Sequence, residues 1–479
     1  MDRRNFIRRS ITATSFAALH PASALAQATQ LEDLAIIEQA LALHPGLYRY
    51  QTPHQFAQRF ATFAQQWKVQ PSIEARFLLL SRLTAQVRCG HTHCNPYNQS
   101  DAVVAALFNR PTGVPFTFRW IDRQMAVTGD SGAATGIAKG SIVERLNGVT
   151  PAHVLAALVP FARADGGNEG KRIAQMEMRG TDRFETFDIF QGLLFPPSAD
   201  CHRVQWRDPS GKRHAALLPA VRLAQRQALA PPGDGETPIW DWTLRGDGIV
   251  VLTMPTWVTY RGKWDWQGWL EDRLTSLNGT RGLIIDLRDN EGGTDCGDAI
   301  LERLADRRLR PLRYMQLVKY RDTPTALNPY LDTWDPSFRA IGKDAVPFAG
   351  GFYRLAGNEQ SDIVPRPPRI AAPVAALIGP VNSSATFSFA RRAKETGLVR
   401  LFGETTGGSL RGINGGAYFF VRLPESGLEF DVPLKGYYPE RPQPDRGLKP
   451  DDFAPPSPSD IASGRDRAME RATGWIMAQ

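Results

Sequence analysis

From Gln30 to about Gln86 the apolar residues recur at three and four positions: Leu34, Ile37, Ala40 and Leu41, then Phe56, Phe60 and Phe63, then Phe77, Leu80 and Leu83. That spacing gathers them on one face of successive helices and predicts a small helical domain over residues 27–100, broken by Gly90 in Val87-Arg-Cys-Gly-His-Thr-His-Cys94. Beyond it the pattern becomes strand-like, in Pro115 to Trp120, Ala126 to Gly129 and Gly140 to Leu146. Asn147-Gly148 predicts a tight turn, and a helix from Pro151 to Phe161 follows, so residues 101–235 read as a compact β-rich module. The Pro/Gly-rich stretch Ala230 to Gly235 marks the next boundary.

Over 236–479 the period alternates. Strands at Gly248 to Met254, Gly282 to Leu287 and Val374 to Ile378 are separated by helical patterns at Trp266 to Leu277, Cys296 to Asp306 and Ser384 to Thr396, and a single final helix is predicted from Asp460 to Met477. Such alternation predicts a layered α/β core. The chain contains no internal repeat and no low-complexity tract.

One junction carries candidate chemistry. The apolar strand Val374 to Ile378 stops at Gly379-Pro380, and Ser384 opens the helix that follows. A serine there has its hydroxyl at the end of a rigid element, among backbone N–H groups of the first helical turn. The same position also suits a plain N-cap serine. A second segment, Gly282-Leu-Ile-Ile-Asp-Leu-Arg-Asp-Asn-Glu-Gly-Gly293, runs a buried strand into a loop ending in two glycines, where backbone N–H groups can approach a ligand closely.

Composition narrows the class. A hydrophobic share of 42% and a charged share of 22% are ordinary for a globular protein, and 479 residues suffice for two or three domains. The first residues place Arg3-Arg4 and Arg8-Arg9 around Phe6-Ile7 before a mildly apolar stretch ending Ala24-Leu25-Ala26. This is similar to a twin-arginine export signal over residues 1–26 and implies a periplasmic or secreted protein. The apolar part is too short for a stable membrane span. Cleavage lowers the formal charge from +8 to +5, and the remaining excess is spread along the chain, which argues against nucleic acid as a partner. An oxidising compartment permits two disulfides among Cys89, Cys94, Cys201 and Cys296, with Cys89 to Cys94 the local pairing.

Taken in order, LIIDLRDNEGG, ALIGPVNSSATFSFA, FGETTGG and Asp445-Arg-Gly-Leu-Lys-Pro-Asp451 resemble the motifs of the tail-specific, or C-terminal-processing, serine proteases. The resemblance covers about Pro238 to Gln479 and extends upstream through Cys89-Gly90-His91-Thr92. It implies a ClpP/crotonase-like layered α/β catalytic domain, an acyl-serine mechanism, a peptide or protein substrate and no cofactor. The stretch GSIVERLNGVTPAHVLAAL is similar to part of a PDZ-like domain.

Within the resemblance Ser384-Ala385, followed by Phe389-Ala390, matches the nucleophile, so Ser384 is preferred to Ser383 and Ser388; Phe387 stands where the family often has glutamate. Many members use a lysine after the Thr-x-Gly turn, but Ser409 occupies that position, leaving Lys394 and Lys435 as spare lysines. The tricorn-core-like branch uses histidine. Every histidine lies at or before position 214, so His91 is the implied base and His93 the fallback, to be brought to Ser384 by the fold. An acidic residue near the closing segment should orient the imidazole; Pro444 occupies the matching position, flanked by Glu440 and Asp445. Backbone N–H groups of Gly292 or Gly293 and of Ala385 would form the oxyanion hole, with Arg288 and Asn290 holding their loop.

Two thiols and two imidazoles in CGHTHC also form a zinc-type ligand set, but four ligands within six residues are too close together for one tetrahedral ion. Two other functions stay open: a non-catalytic ligand-binding protein on the same fold, and a small-molecule esterase or amidase.

Overall fold

The computed structural model describes residues 31–230, 235–277, 279–357 and 362–479; the export-signal segment 1–26 lies outside them. The predicted N-terminal helices form at Asp33–Ala42, Pro53–Val69 and Ile73–Gln86. Their apolar faces are buried, with Phe56, Phe60, Phe63 and Trp67 in one helix-long aromatic row. Thr52 and Gln55 form a capping box that fixes the start of the second helix.

The predicted β-rich module is a five-stranded antiparallel sheet in sequential order, from Phe116–Ile121 through Arg213–Pro219. Its Asn147-Gly148 turn takes positive φ at both residues, 53° and 82°, and Leu146 and Val149 exchange both backbone hydrogen bonds.

The α/β core is built on a six-stranded sheet in the order Asp452–Phe453, Arg400–Gly403, Val374–Ile378, Gly282–Asp286, Ile249–Thr253 and Asp241–Leu244. Neighbours are parallel except the last pair. The central strands read as unbroken apolar runs because both faces are covered. Val374, Ala376 and Ile378 pack with helices Trp266–Thr275, Gly297–Leu304 and Ser384–Thr396, while Ala375 and Leu377 pack with the C-terminal helix Arg467–Met477.

The final helix departs from expectation. It is two helices, Pro458–Ser463 and Arg467–Met477, broken where Gly464 takes φ 70° and Asp466 caps the second by accepting from the Met469 N–H. Glycine can adopt that left-handed conformation without a Cβ clash, and the aspartate restarts the helix.

A second six-stranded sheet, antiparallel throughout, is dominated by the hairpin of Asn414–Arg422 and Glu429–Pro439. Its inward residues Phe419, Val421, Phe430 and Val432 share one apolar cluster with Ile36 and Phe77 of the N-terminal helices and Phe118 of the five-stranded sheet. This core therefore crosses the sequence boundaries at 100/101 and 235/236, and packs the segment around His91 against the second six-stranded sheet. Among the described residues no helix is long and apolar enough to cross a membrane.

Candidate active site

The strand Val374–Ile378, buried along its whole length, leads through Gly379-Pro380 to the helix Ser384–Thr396. Asn382 fixes this turn. Its Oδ1 accepts from the Gly379 N–H at 2.7 Å, and its Nδ2 donates to Leu287 O at 2.5 Å and Asn290 O at 2.8 Å. Its carbonyl accepts the N–H groups of Gly407 and Gly408 at 2.8 Å each. The strand end, the loop after Gly282–Asp286 and the Thr-Gly-Gly turn are thus tied to one buried amide. The two glycines are required by contact: a Cβ at Gly407 would meet Pro380 O, and one at Gly408 would meet the Phe387 ring. Phe387 is accounted for by this packing, being buried against Gly408 with no acidic role to play.

Ser384 takes φ 51°, the left-handed conformation that costs a non-glycine residue about 1–2 kcal/mol. It is half-buried, and among the described residues its hydroxyl has no hydrogen-bond partner. The N-cap Ser383 makes no side-chain cap, so the N–H groups of Ser384, Ala385 and Thr386 also have no acceptor there. A helix end left uncapped in this way is an electropositive cradle for developing negative charge.

Gly292 packs beside the cradle: a Cβ on it would stand 2.9 Å from Ser384 Cβ and 3.1 Å from Ala385 N. Its N–H, however, donates to Asn290 Oδ1 at 2.8 Å. This corrects the expectation that either glycine N–H could serve the oxyanion: Gly292 gives space, and Gly293, at φ 141°, retains an N–H without an acceptor among the described residues. Asn290 is fully buried and also accepts from Thr386 Oγ1 at 2.6 Å. Arg288 pairs with Asp286 at 2.6 Å and Asp466 at 2.8 Å, so both residues hold the loop.

The neighbouring serine is committed elsewhere. Ser383, 2% exposed, donates to Glu291 O at 3.0 Å and accepts from Lys171 Nζ at 2.7 Å. Lys171 is 1% exposed; burial lowers its pKa, and Glu291, 3.5 Å away, offsets part of that. Burial alone would raise the Glu291 carboxyl, but Arg163, Lys171 and Arg179 outweigh it and hold it down to about 2. Arg163 Nη2 reaches Glu291 Oε2 at 3.0 Å, and Gln175 Nε2 donates to Oε1 at 2.7 Å. Lys171 was not among the lysines singled out from sequence. Of those, Lys394 is held by Lys449 O and Asp451, and Lys435 lies in the second sheet opposite Gly415.

His91 comes from the break after the helix Ile73–Gln86 and lies beside Gly415 and Tyr418. Burial lowers its pKa to about 4; Asp165 opposes the shift, and Lys171 and Arg163 reinforce it. The imidazole is therefore neutral at pH 7, as a base must be. Among the described residues its Nδ1 is buried without a partner, and so is Oδ2 of Asp165, a residue 2% exposed. Asp165 Oδ1 accepts the Gly90 N–H at 2.9 Å, locking the carboxylate to the His91 segment. One ligand-type atom each from Cys89, His91 and Asp165 lies within 4.8 Å of the others. Sequence reasoning missed Asp165. Its signal was an acidic residue in the loop Ala164-Asp165-Gly166-Gly167, on a module assigned no chemistry.

The segment is braced by fully buried His44. The ring accepts the Gly46 N–H at Nδ1, 2.8 Å, and its Nε2 lies 2.8 Å from Thr92 Oγ1, which assigns the proton to Nε2. His93 belongs to a different environment, beside the buried Asn95–Asp431–Asn98 network, and its carbonyl accepts the Asp431 N–H.

Neither acidic residue picked out near the closing segment pairs with His91, which corrects the expectation for both. Glu440 is a half-exposed carboxylate 3.8 Å from Arg313. Asp445 accepts from Gly167 N at 2.9 Å and from Ser409 Oγ at 3.2 Å. Ser409 thus fills the absent lysine's position as a partner of Asp445. All four cysteines are free thiols, so the two disulfides that an oxidising compartment would permit are not formed.

A strained serine at a strand-to-helix junction beside open N–H donors is the nucleophile end of a serine hydrolase type of site on a layered α/β core, and the neutral His91 imidazole is linked to it through Lys171, which bonds Ser383 and acts electrostatically on the ring. Residues 248–451 match the model of peptidase family S41. The matched segment carries Gly292, Gly293 and Ser384, and the match supports a serine-type peptidase. Among solved structures, that of mature CPAF complexed with lactacystin is 16% identical and covers 93% of this chain and 96% of its own, with a TM-score of 0.60. A second structure of mature CPAF is 16% identical, covers 93% of this chain and 95% of its own, and has a TM-score of 0.57. At that identity the likeness establishes the fold. No curated protein matches the sequence significantly.

Proposed function

We propose that this chain is an exported serine endopeptidase of the tail-specific type, cutting peptide bonds through an acyl-serine intermediate. Ser384 Oγ attacks the scissile carbonyl carbon while His91 accepts its proton. Asp165 takes the role expected of a residue near the closing segment: its carboxylate and the His91 imidazole have atoms within 4.8 Å of each other, and closing of Oδ2 on the Nδ1 proton during catalysis would leave the lone pair on Nε2. The tetrahedral oxyanion receives the N–H groups of Gly293 and Ala385. Collapse expels the amine, protonated by His91, and water then cleaves the acyl ester by the reverse proton path.

The observation that carries this reading is Ser384 itself, held at φ 51° at an uncapped helix start, with a hydroxyl that has no partner among the described residues. Strain of that kind persists where the surroundings impose it, and nucleophiles are placed so. Export rests on the paired arginines before residue 26. Purified Ser384→Ala and His91→Ala chains, confirmed folded by circular dichroism, should lose peptide hydrolysis; full activity in either contradicts the assignment.

A further inference from the structure

Among the described residues, one group of three metal-ligating side chains comes together: Cys89, His91 and Asp165, a thiol, an imidazole and a carboxylate with ligand atoms within 4.8 Å of one another. Two of these groups are buried and unpartnered. Among the described residues Oδ2 of Asp165 and Nδ1 of His91 have no hydrogen-bond partner, and Asp165 is 2% exposed. Buried polar atoms are rarely left so, and each such case calls for an explanation. The zinc set that the sequence suggests is not assembled, because Cys94 and His93 are absent from the group; Asp165, about 75 residues along the chain, takes their place.

We infer that Cys89, His91 and Asp165 form a site for a zinc-like divalent transition-metal ion, and that occupation of this site switches the peptidase off. Zinc prefers four ligands at about 2.0–2.3 Å from sulfur, nitrogen and oxygen donors, so three side chains and one water complete its shell. Those bond lengths require the three atoms, which lie within 4.8 Å of one another, to draw closer by side-chain rotation. The nearby cations do not block entry, since Arg163 and Lys171 are both engaged by Glu291, at 3.0 and 3.5 Å.

The inhibition follows from imidazole chemistry and rests on the proposed role of His91. A neutral imidazole carries one proton. A metal on Nδ1 leaves that proton on Nε2, where the lone pair must be to deprotonate Ser384, and the same metal takes the Asp165 oxygen that would hold the ring. Binding also displaces the Cys89 thiol proton to solvent, because the coordinating form is the thiolate.

The test is a titration of the purified full chain with Co2+ and Zn2+. Binding of one Co2+ with a sulfur-to-cobalt charge-transfer band, displaced by Zn2+ and weakened at least tenfold in both Cys89→Ser and Asp165→Asn, is the expected result. Peptide hydrolysis by the parent chain should fall in parallel with Zn2+ occupancy and return on adding a chelator, and whatever hydrolysis Cys89→Ser retains should no longer respond to Zn2+. Absence of the charge-transfer band, affinity indifferent to both substitutions, or full hydrolysis with Zn2+ bound overturns the inference. The spectroscopic readout needs no turnover, so a chain that binds metal but never hydrolyses peptide counts against the proposed peptidase mechanism and leaves the metal site standing.

Discussion

Lys171 Nζ stands 2.7 Å from Ser383 Oγ, one residue before the strained Ser384, although 212 residues separate the two in sequence. The hydroxyl of Ser383 is saturated by this lysine and by Glu291 O, whereas that of Ser384 has no partner among the described residues. The pair therefore positions the strand-to-helix turn before Ser384, and the adjacent serines have opposite roles.

Replacing each serine separates those roles. Ser383→Ala removes one buried hydrogen bond to a charged group, worth about 1.5–3 kcal/mol, and should lower stability by that order while kcat stays within about tenfold. Ser384→Ala should abolish turnover. Denaturant midpoints and peptide hydrolysis read both effects.

Strain at Ser384 makes a second prediction. Glycine adopts φ 51° without the Cβ penalty, so Ser384→Gly should be as stable as the parent or up to about 1 kcal/mol more stable, and inactive. A catalytic serine is expected to trade stability for activity in this way; a purely capping serine would not.

Lys171→Met leaves a buried network short of one cation. Breaking such a pair costs about 3–5 kcal/mol, and the unfolding midpoint should fall accordingly. Because Arg163 and Arg179 still hold Glu291 ionised, kcat should fall more than KM rises, through loss of the turn before Ser384 rather than of substrate binding.

The acid limb of activity reports His91. In the free enzyme kcat/KM should hold down to the neighbourhood of pH 4 and fall below it as the imidazole takes a proton. Stability should begin to fall at higher pH. His91 and His44 are both held below the usual value near 6.5, to about 4 and about 3, so between those values and 6.5 the unfolded chain binds more protons than the folded one. Stability is therefore full above about pH 6.5 and is lost progressively as pH falls. Unfolding midpoints measured across that range check the sign.

Asp165→Asn keeps an oxygen for the Gly90 N–H but offers the imidazole the wrong partner. Turnover should drop by about 100-fold to 10,000-fold with little change in stability, the signature of a misoriented tautomer. Glu440→Gln, on the surface beside Arg313, should be silent in the same assay.

What the sequence disclosed follows from locality. The strand Val374–Ile378, the helix opening at Ser384 and the helical repeats of Phe56 to Leu83 are periodic patterns within a few turns of chain, and the structure has them at those residues. Gly464 was a local break that the periodicity of the last helix hid. Asp165, Lys171 and the Gly292 N–H were not legible for a different reason. Asp165 and Lys171 read as ordinary charges of a β-rich module, yet both are buried, Lys171 against Ser383 and Glu291 of the layered α/β core. Whether the Gly292 N–H is open depends on the rotamer of Asn290, two residues away. The preference for acids near Pro444 failed because Asp445 is spent on Gly167 and Ser409, contacts between segments distant in the chain.

The central claim, a Ser384 hydroxyl activated by His91, is tested most directly by the site of covalent labelling with a fluorophosphonate, mapped by mass spectrometry on the parent chain and on His91→Ala. The account predicts phosphonylation of Ser384 in the parent and its loss in His91→Ala. Labelling at Ser383, or undiminished labelling of Ser384 without His91, would contradict it.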